Sequence, residues 1–412
     1  MIPITEDCPN CGQSNISVFY EVSKVPTNSV LLLSTQEEAL NFPTGSIRLG
    51  VCHYCGFIYN IDFDLSLTEY SAKYEATQGY SPTFNKFHKK LAQDLIDKFE
   101  LHQKEIIEIG CDKGDFITML CEMGNNKGTG FDPAYVPGRH PSEIADQLTF
   151  IADFYGEKFA SHTADFICCK MTLEHIPDTG DFVQTVRNSV GDKASIIFFQ
   201  IPNANYVLDD LAFWDVYYEH CSYFTAGSLS HLFEQSGFKS VSTWTDYDDQ
   251  YLMIEALPRQ QNGVIPTPEG VEETVQKAAH FETAVHNLRQ VWQVRINDFR
   301  KNGRKFVLWG GGSKGVAFLT TLGLTLDDIQ YVVDINPIKS GTFMAATGQE
   351  IVGPDFLKTY QPDVIIIMNP IYTEEITNDL HNMGLSPEIL TRTSQKTGAV
   401  MGLLTEAIVI EK

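Results

Sequence analysis

The sequence predicts an α/β protein in three parts, and three features carry that prediction. From residue 104 onward, short apolar runs typical of buried strands alternate with helix-like segments, which indicates a parallel sheet covered on both faces. A second alternating unit starts at KFVLWGGGSKGVAFL and ends at PDVIIIMNP, so a smaller α/β domain follows the first. Strand-like runs with paired cysteines precede both units. We expect the parts to cover residues 1–70, 71–260 and 261–412.

Each element follows from its local pattern. Phe84, Phe87, Leu91, Leu95 and Phe99 recur at helical spacing, which predicts a helix over about 71–100. In the central part, KEIIEIG, GTGFD, ADFICCKM and SIIFFQIP read as strands, while DFITMLCEM and DFVQTVRNSV read as helices. The Pro- and Gly-rich stretch 262–270 reads as a linker, and a long polar helix is expected over about 269–301. The strand IQYVVDINP then belongs to the last part.

Composition excludes several classes of function. The 412 residues carry a net charge of −23, which opposes binding to nucleic acid or to anionic lipid. Hydrophobic residues make up 43%, enough for a packed core, and no apolar run is long enough to span a bilayer. The first ten residues lack the basic and apolar regions of a signal peptide. With nine cysteines, an odd number, we expect a cytoplasmic protein with metal-binding or free thiols.

Four of the cysteines predict a metal site. Cys8 and Cys11 form one C-x2-C pair, and Cys52 and Cys55 form a second. Two residues between thiolates let both point at one ion, and four thiolates close the coordination shell of a structural Zn²⁺. The alternatives are free cysteines or redox-active pairs.

A glycine-rich turn predicts a ligand site in the central part. The buried strand ending at Glu108 runs into a turn flanked by Gly110 and Gly114, where the backbone can approach a ligand closely. Asp132 ends the next strand and can accept both hydroxyls of a ribose, while Asp153 can accept from an adenine amino group. Glu174 and His175 follow the fourth strand, at the sheet edge where ligands of open α/β sheets bind.

This order of features resembles the class I methyltransferases that depend on S-adenosylmethionine. Asp112 stands where their E-x-G-x-G-x-G motif has its middle glycine. A nicotinamide-binding Rossmann domain is the competing interpretation, but the turn lacks the G-x-x-G end of the dinucleotide fingerprint. The resemblance implies S-adenosylmethionine as cofactor, with these candidate contacts: Glu108, Gly110, Cys111, Gly114, Phe116, Asp132, Pro133, Asp153, Phe154 and Lys170.

The segment FWDVYYEHCSYFT is dense in groups that carry protons. By composition alone, an aromatic patch packed on the sheet edge explains it equally well. Together with the cysteine module, the central domain and the second α/β domain, it resembles the sugar C-methyltransferases, which methylate C3 of nucleotide-linked 4-keto deoxysugars. The resemblance implies His220 as general base beside Tyr217 and Glu219, His175 as a second active-site histidine, and Tyr74 as a lid residue. Histidine suits the first role because it titrates near neutral pH. Glu219 can orient the imidazole, and a tyrosine hydroxyl or His175 can hold the developing enolate oxygen.

A second glycine-rich turn lies in the last part. Gly310, Gly312 and Gly315 fit G-x-G-x-x-G, and Asp334 closes the following strand, which is the dinucleotide pattern. In the resembled family, this domain completes the substrate cleft, which implies an anion contact such as a nucleotide diphosphate. A purely structural turn with a solvated lysine is the alternative. The candidate substrate contacts are Gly312, Ser313, Lys314, Asn203, Asn369 and Tyr372.

We therefore expect a methyltransferase that binds S-adenosylmethionine and structural zinc and acts on a nucleotide-linked sugar, as a monomer or homodimer. Methyl transfer to oxygen or nitrogen of another metabolite keeps the same fold. A nicotinamide-dependent oxidoreductase and a zinc-knuckle binding module with an inactive core are the alternatives from other classes.

Overall fold

The computed structural model describes residues 1–139, 142–191, 193–259 and 265–391. Within these ranges the strands are β1 (Ile2–Ile4), β2 (Ile16–Pro26), β3 (Thr44–Cys52), β4 (Ile58–Asn60), β5 (Glu105–Ile109), β6 (Lys127–Phe131), β7 (Leu148–Ile151), β8 (Phe166–Lys170), β9 (Ile196–Pro202), β10 (Ser222–Tyr223), β11 (Phe238–Asp246), β12 (Tyr251–Pro258), β13 (Phe306–Trp309), β14 (Tyr331–Val333), β15 (Glu350–Val352), β16 (Val364–Ile367) and β17 (Glu388–Thr391). The α-helices are α1 (Gln36–Leu40), α2 (Pro82–Phe99), α3 (Asp115–Gly124), α4 (Thr179–Val190), α5 (Ala204–Asp209), α6 (Ala226–Gln235), α7 (Val271–Lys301), α8 (Ser313–Leu322), α9 (Leu357–Tyr360) and α10 (Thr373–Asn382).

The first sheet is antiparallel, in the order β1-β2-β3-β4-β10. Four of its strands come from the cysteine-bearing part of the chain. The fifth, β10, comes from the central part, with Ser222 opposite Tyr59. This pairing fixes the chain immediately after His220 against the N-terminal module.

The second sheet has the order β11-β12-β9-β8-β5-β6-β7. The five strands from β9 to β7 are parallel, so their carboxyl ends meet at one edge, where the first glycine-rich turn lies. The strands β11 and β12 add an antiparallel hairpin beside β9. Sequence analysis does not predict this hairpin.

The third sheet is parallel throughout, in the order β15-β14-β13-β16-β17. This order repeats that of β7-β6-β5-β8-β9 in the second sheet, with the first strand of each unit at the centre. The predicted fold class, an α/β protein with a second, smaller Rossmann-like unit, is confirmed.

One predicted helix is wrong at its start. Residues 71–81 contain no helix, and α2 begins only at Pro82. The Ser81 hydroxyl accepts a hydrogen bond from the Phe84 N–H, and proline suits the first position of a helix but disfavours helical backbone before it. The predicted long helix is present as α7. Residues 262–264 of the predicted linker, and residues 392–412, lie outside the described residues.

Helix α7 packs between the first sheet and the third. The Phe281 ring lies edge-on to Tyr20, with centroids 5.2 Å apart, and Trp292 lies edge-on to Phe318 at 5.1 Å. Both α7 side chains are buried, and burial of each stabilises the packing by about 1.5–3 kcal/mol. Within the described ranges, no helix combines the length and the apolar character needed to cross a membrane.

Candidate active site

A cavity of about 650 Å³ lies between the second and third sheets. The carboxyl ends of β5, β6 and β8 line it from one side, and those of β13 and β16 from the other. Residues between 65 and 81 form a further wall. The two glycine-rich turns and the segment FWDVYYEHCSYFT (213–225) therefore share one cavity.

The first glycine-rich turn presents a carboxylate to this cavity. Gly110 has a φ of +71°, and a Cβ at this position would collide with the Thr172 side chain. One Asp132 carboxylate oxygen accepts from the Asp112 N–H at 2.8 Å, and the other accepts from the Ala134 N–H at 2.7 Å. These donors fix the orientation of the carboxylate, while its remaining lone pairs can still accept ligand hydroxyls. Burial raises the pKa of Asp132.

Asp112 adopts a backbone conformation that glycine adopts readily. Its φ is +46°, in the left-handed region that aspartate tolerates better than most residues. Its Oδ1 lies 3.2 Å from Lys113 Nζ, and this buried ammonium also donates to the Ala134 carbonyl at 2.6 Å. Burial raises the pKa of Asp112 to about 6, although Lys113 opposes the shift.

A buried cation lies deeper in the cavity. Lys170 Nζ is 2.6 Å from His88 Nε2 and 4.1 Å from the centre of the Phe116 ring. Burial lowers the pKa of both Lys170 and His88, whereas it raises that of Glu108 to about 7. Sequence analysis missed His88, although a histidine within the apolar stripe of α2 is a signal that could have found it.

Nine of the ten candidate cofactor contacts line the cavity. The exception is Gly114, whose Cα faces the Phe150 ring. Asp153 and Phe154 lie at the rim, because Asp153 pairs with Lys158 near the surface and Phe154 is 61% exposed.

His220 lies in an aromatic enclosure at the other end of the cavity. Its ring centroid is 4.1 Å from that of Tyr217 and 4.7 Å from that of His175. Among the described residues, neither ring nitrogen of His220 has a hydrogen-bond partner. Burial lowers the pKa of His220 well below its usual range, and His175 and Lys314 lower it further.

His175 is held by a backbone carbonyl group and by a tyrosine hydroxyl. Its Nδ1 is 2.9 Å from the Glu219 carbonyl oxygen and 3.0 Å from the Tyr70 hydroxyl. A carbonyl oxygen only accepts, so we assign the proton to Nδ1, which leaves a lone pair on Nε2. Burial lowers the pKa of His175 to about 4, so the ring is neutral. Sequence analysis missed Tyr70, whose ring contacts that of Tyr74 at 5.5 Å.

The carboxylate of Glu219 points away from His220. Its Oε1 accepts from the Ser29 N–H at 2.8 Å and from the Ser29 hydroxyl, and that hydroxyl is 2.7 Å from the Ser313 hydroxyl. Burial raises the pKa of Glu219 to about 7. Glu219 is not among the cavity-lining residues, and its carboxylate bonds to Ser29 instead of orienting the His220 imidazole. Through Ser29 it also connects to Ser313, so this junction joins all three parts of the chain.

Glu174 is the carboxylate that does face His220. Its Oε1 lies 3.9 Å from His220 Nε2, and neither of its oxygens has a hydrogen-bond partner among the described residues. Burial raises the pKa of Glu174 to about 8. Ligand atoms of Glu174, His175 and His220 lie within 4.8 Å of one another. Sequence analysis pointed to Glu174 because it lies beside His175, directly after the fourth strand of the central part.

All six candidate substrate contacts line the cavity. Lys314 forms an ion pair with the half-buried Asp215, so part of the charge expected to meet an anion is neutralised. Asn369 exchanges amide hydrogen bonds with Gln250 at 3.0 and 3.1 Å.

Two further candidates are held in a similar way. The Tyr372 hydroxyl donates to Gln78 at 2.7 Å. The Asn203 amide donates to the Asp249 carbonyl at 2.9 Å. These partners fix where the polar atoms of the cavity wall lie.

The second glycine-rich turn repeats the geometry of the first. Asp334 accepts from the Gly311 N–H at 2.9 Å and from the Asn336 N–H at 2.8 Å, as Asp132 does in its own turn. A Cβ at Gly315 would collide with the Gly310 carbonyl, so the helix lies very close to the strand. The buried Lys339, which sequence analysis missed, lies 3.5 Å from Asp334 and lines the cavity.

The four predicted metal ligands converge outside the cavity. The Sγ atoms of Cys8 and Cys55 are 3.8 Å apart, and those of Cys11 and Cys52 are 3.6 Å apart. A tetrahedron with metal–sulfur distances of about 2.3 Å has edges of about 3.8 Å. The donor set and spacing therefore fit Zn²⁺.

Two family models match the chain. The model described as a methyltransferase domain matches residues 84–243, and the model described as a C-methyltransferase C-terminal domain matches residues 269–386. The chain is also similar to the C-methyltransferase NovU of Streptomyces niveus, with 23% identity over 91% of this chain and 92% of that protein.

The solved structures that match are only distantly similar. Magnesium protoporphyrin IX methyltransferase of Synechocystis, with bound S-adenosylhomocysteine, has 13% identity and a TM-score of 0.35 over 43% of this chain and 84% of its own. The 1,6-didemethyltoxoflavin-N1-methyltransferase of Burkholderia thailandensis has 14% identity and a TM-score of 0.33, over 44% of this chain and 83% of its own.

Proposed function

We propose that this C-methyltransferase dependent on S-adenosylmethionine, whose chain matches a methyltransferase-domain model and then a C-methyltransferase C-terminal domain model, methylates a carbon next to a keto group in a nucleotide-linked deoxysugar. The expected carbon is C3 of a 4-keto sugar. The observation that carries this proposal is the enclosure of His220, a neutral imidazole that lines the same cavity as Asp132.

The cofactor binds along the carboxyl ends of β5 and β6. Asp132 accepts the ribose hydroxyls, because two backbone N–H groups already hold its carboxylate toward the cavity. The Gly110 turn approaches the ligand closely, and Asp153 and Phe154 contact the base from the rim. Bound S-adenosylmethionine supplies a methyl group that a carbanion can attack.

His220 removes the proton from the carbon next to the keto group. The keto group makes this proton acidic, and a neutral histidine in a water-poor enclosure is able to accept it. The proton moves to a ring nitrogen of His220, and the electron pair of the C–H bond becomes the enolate. His175 does not suit donation to the enolate oxygen, because its only N–H already points to the Glu219 carbonyl. A tyrosine hydroxyl takes that role: Tyr217 is in contact with His220, and Tyr74 also lines the cavity.

The third sheet binds the nucleotide of the acceptor. Asp334 is held by two backbone N–H groups in the same way as Asp132, which makes it a second nucleoside-facing carboxylate in the same cavity. The N–H groups at the start of α8 are the groups best suited to meet a diphosphate. The ammonium of Lys339 lies in the same cavity, but its charge is shared with Asp334 at 3.5 Å. Because Lys314 already pairs with Asp215, we expect it to contribute less to binding the diphosphate.

The Cys8, Cys11, Cys52 and Cys55 cluster binds a structural zinc ion. Four sulfur ligands leave no open position for a substrate, so the ion stabilises the N-terminal module and takes no part in the reaction.

The test is exchange of hydrogen for deuterium in a keto sugar. We use thymidine diphosphate-4-keto-6-deoxyglucose in D2O, with S-adenosylhomocysteine bound in place of the methyl donor, and follow the C–H signals by NMR. The native protein should accelerate exchange, because deprotonation precedes methylation. The His220→Asn variant should bind S-adenosylhomocysteine normally and lose the exchange. Normal exchange by this variant excludes His220 as the base.

Transfer to oxygen or nitrogen is the alternative outcome of the same test. A hydroxyl or amine acceptor needs no C–H cleavage. Methylation of a sugar from the same class without catalysed exchange at any carbon would therefore contradict the carbanion route.

A further inference from the structure

The carboxylate of Glu174 is buried without any structural partner. It is 1% exposed, lines the cavity, and has no hydrogen bond to either oxygen among the described residues. Leaving a buried polar group unsatisfied destabilises the folded state. Because nothing around the carboxyl group offsets that cost in the fold, its position calls for a functional explanation.

Two other carboxylates of the same segment bind other groups. Asp215 forms an ion pair with Lys314, and Oε1 of Glu219 accepts two hydrogen bonds from Ser29, although its Oε2 has no partner among the described residues. Glu174 Oε1, by contrast, is 3.9 Å from His220 Nε2. This gap exceeds the usual hydrogen-bond length of about 2.9 Å by about 1 Å. Hydrogen bonds of this kind often tighten only when the substrate is bound.

We infer that Glu174 is a positioning residue that binds the Nε2–H of His220 and thereby presents Nδ1 to the substrate. This inference rests on the proposed function, and it assigns to Glu174 the role that sequence analysis gave to Glu219. The substrate proton moves to Nδ1, the C–H electron pair enters the enolate, and the resulting imidazolium lies beside the Glu174 carboxylate.

The surroundings of His220 explain why a counter-charge is needed. The burial of the ring, the neighbouring His175 and the Lys314 ammonium all disfavour a positive charge on His220. An opposite charge within about 4–6 Å raises the proton affinity of a histidine by about 1–3 pKa units. Burial raises the pKa of Glu174 to about 8, so its counter-charge develops as the pH rises through about 8, and the exchange assay is run above that pH. Without Glu174, His220 would be a weaker base, while the cofactor end of the cavity would be unaffected.

The experiment compares three substitutions in the exchange assay described above. Glu174→Gln keeps the size of the side chain but removes its charge, whereas Glu174→Asp keeps the charge. Glu255→Gln is the matched control, because Glu255 is equally buried but lies outside the cavity and pairs with Lys98. Affinity for S-adenosylhomocysteine is measured by calorimetry, and KM and kcat are measured separately.

We expect Glu174→Gln to slow exchange and kcat by about 10–100-fold, with the affinity for S-adenosylhomocysteine and the KM for the sugar within about twofold of native. Glu174→Asp should retain more activity than Glu174→Gln, and Glu255→Gln should exchange at the native rate. Native exchange by Glu174→Gln, together with loss of exchange in His220→Asn, overturns the inference and leaves the proposed function intact. Exchange by His220→Asn overturns the proposed function itself.

Two other results would also overturn the inference. A parallel loss of cofactor affinity in Glu174→Gln would show a merely structural role. A second equivalent of bound metal in the native protein, absent from Glu174→Gln, would show that Glu174, His175 and His220 are ligands instead.

Discussion

The junction at Ser29 makes a quantitative prediction about stability. Ser29→Ala removes the hydroxyl that donates to the buried Glu219 carboxylate and that also contacts the Ser313 hydroxyl. A hydrogen bond to a charged group contributes about 1.5–3 kcal/mol, against about 0.5–1.5 kcal/mol for a neutral pair. The cost of the substitution therefore depends on whether Glu219 is ionised.

The sign of the pH dependence follows from the pKa of Glu219. Burial raises this pKa from 4.5 to about 7, so the folded state binds the proton more tightly than the unfolded state. The stability that this adds is complete below pH 4.5 and is lost as the pH rises through about 7. The Ser29 hydroxyl limits that loss, because it stabilises the ionised form. Ser29→Ala should therefore lower the free energy of unfolding by about 1 kcal/mol more at about pH 8.5 than at about pH 6.

The assay is urea unfolding at both pH values, followed by tryptophan fluorescence. Ser66→Ala is the control, because its hydroxyl makes the same kind of bond to a carboxylate, at 2.6 Å from Asp64, but at the surface. We expect Ser66→Ala to lower the free energy of unfolding by no more than about 0.5 kcal/mol at either pH. An equal loss of stability by Ser29→Ala at both pH values, or a loss no larger than that of the control, would refute the reasoning.

Two predictions concern the cofactor and the metal. Asp132→Ala should weaken binding of S-adenosylhomocysteine by about 100-fold in calorimetry, because two charged hydrogen bonds to ribose are lost; unchanged affinity would place the cofactor elsewhere. Metal analysis should find one zinc ion per chain, and Cys52→Ser should bind substoichiometric zinc and melt at a lower temperature. Full zinc occupancy in that variant would contradict the four-cysteine site.

The regular parts of the fold could be predicted from local pattern alone. Buried parallel strands read as continuous apolar runs, and glycine-rich turns mark where strands lead into helices. The start of α2 was missed because the apolar stripe does not show where a helix begins, whereas Ser81 and Pro82 do. The hairpin of β11 and β12 was missed because the residues of β11 are only partly apolar and the connecting residues 247–250 contain no turn signal as clear as Asn-Gly.

The candidate site was predictable residue by residue, but its connections were not. Most of the candidate residues line one cavity, because the carboxyl ends of parallel strands bring them together. The partner of Glu219 comes from a residue 190 positions away, and no local pattern reveals such a contact. Likewise, the sequence could not show that Lys314 faces Asp215, or that Glu174 rather than Glu219 faces His220.

The central claim, methylation of a carbon next to a keto group, is tested most directly by the product. The native protein is incubated with S-adenosylmethionine labelled with carbon-13 in its methyl group and with thymidine diphosphate-4-keto-6-deoxyglucose. Carbon NMR then identifies the atom that receives the label. We predict a labelled methyl group coupled to a ring carbon adjacent to the keto group. A labelled methoxy or N-methyl signal would contradict the account.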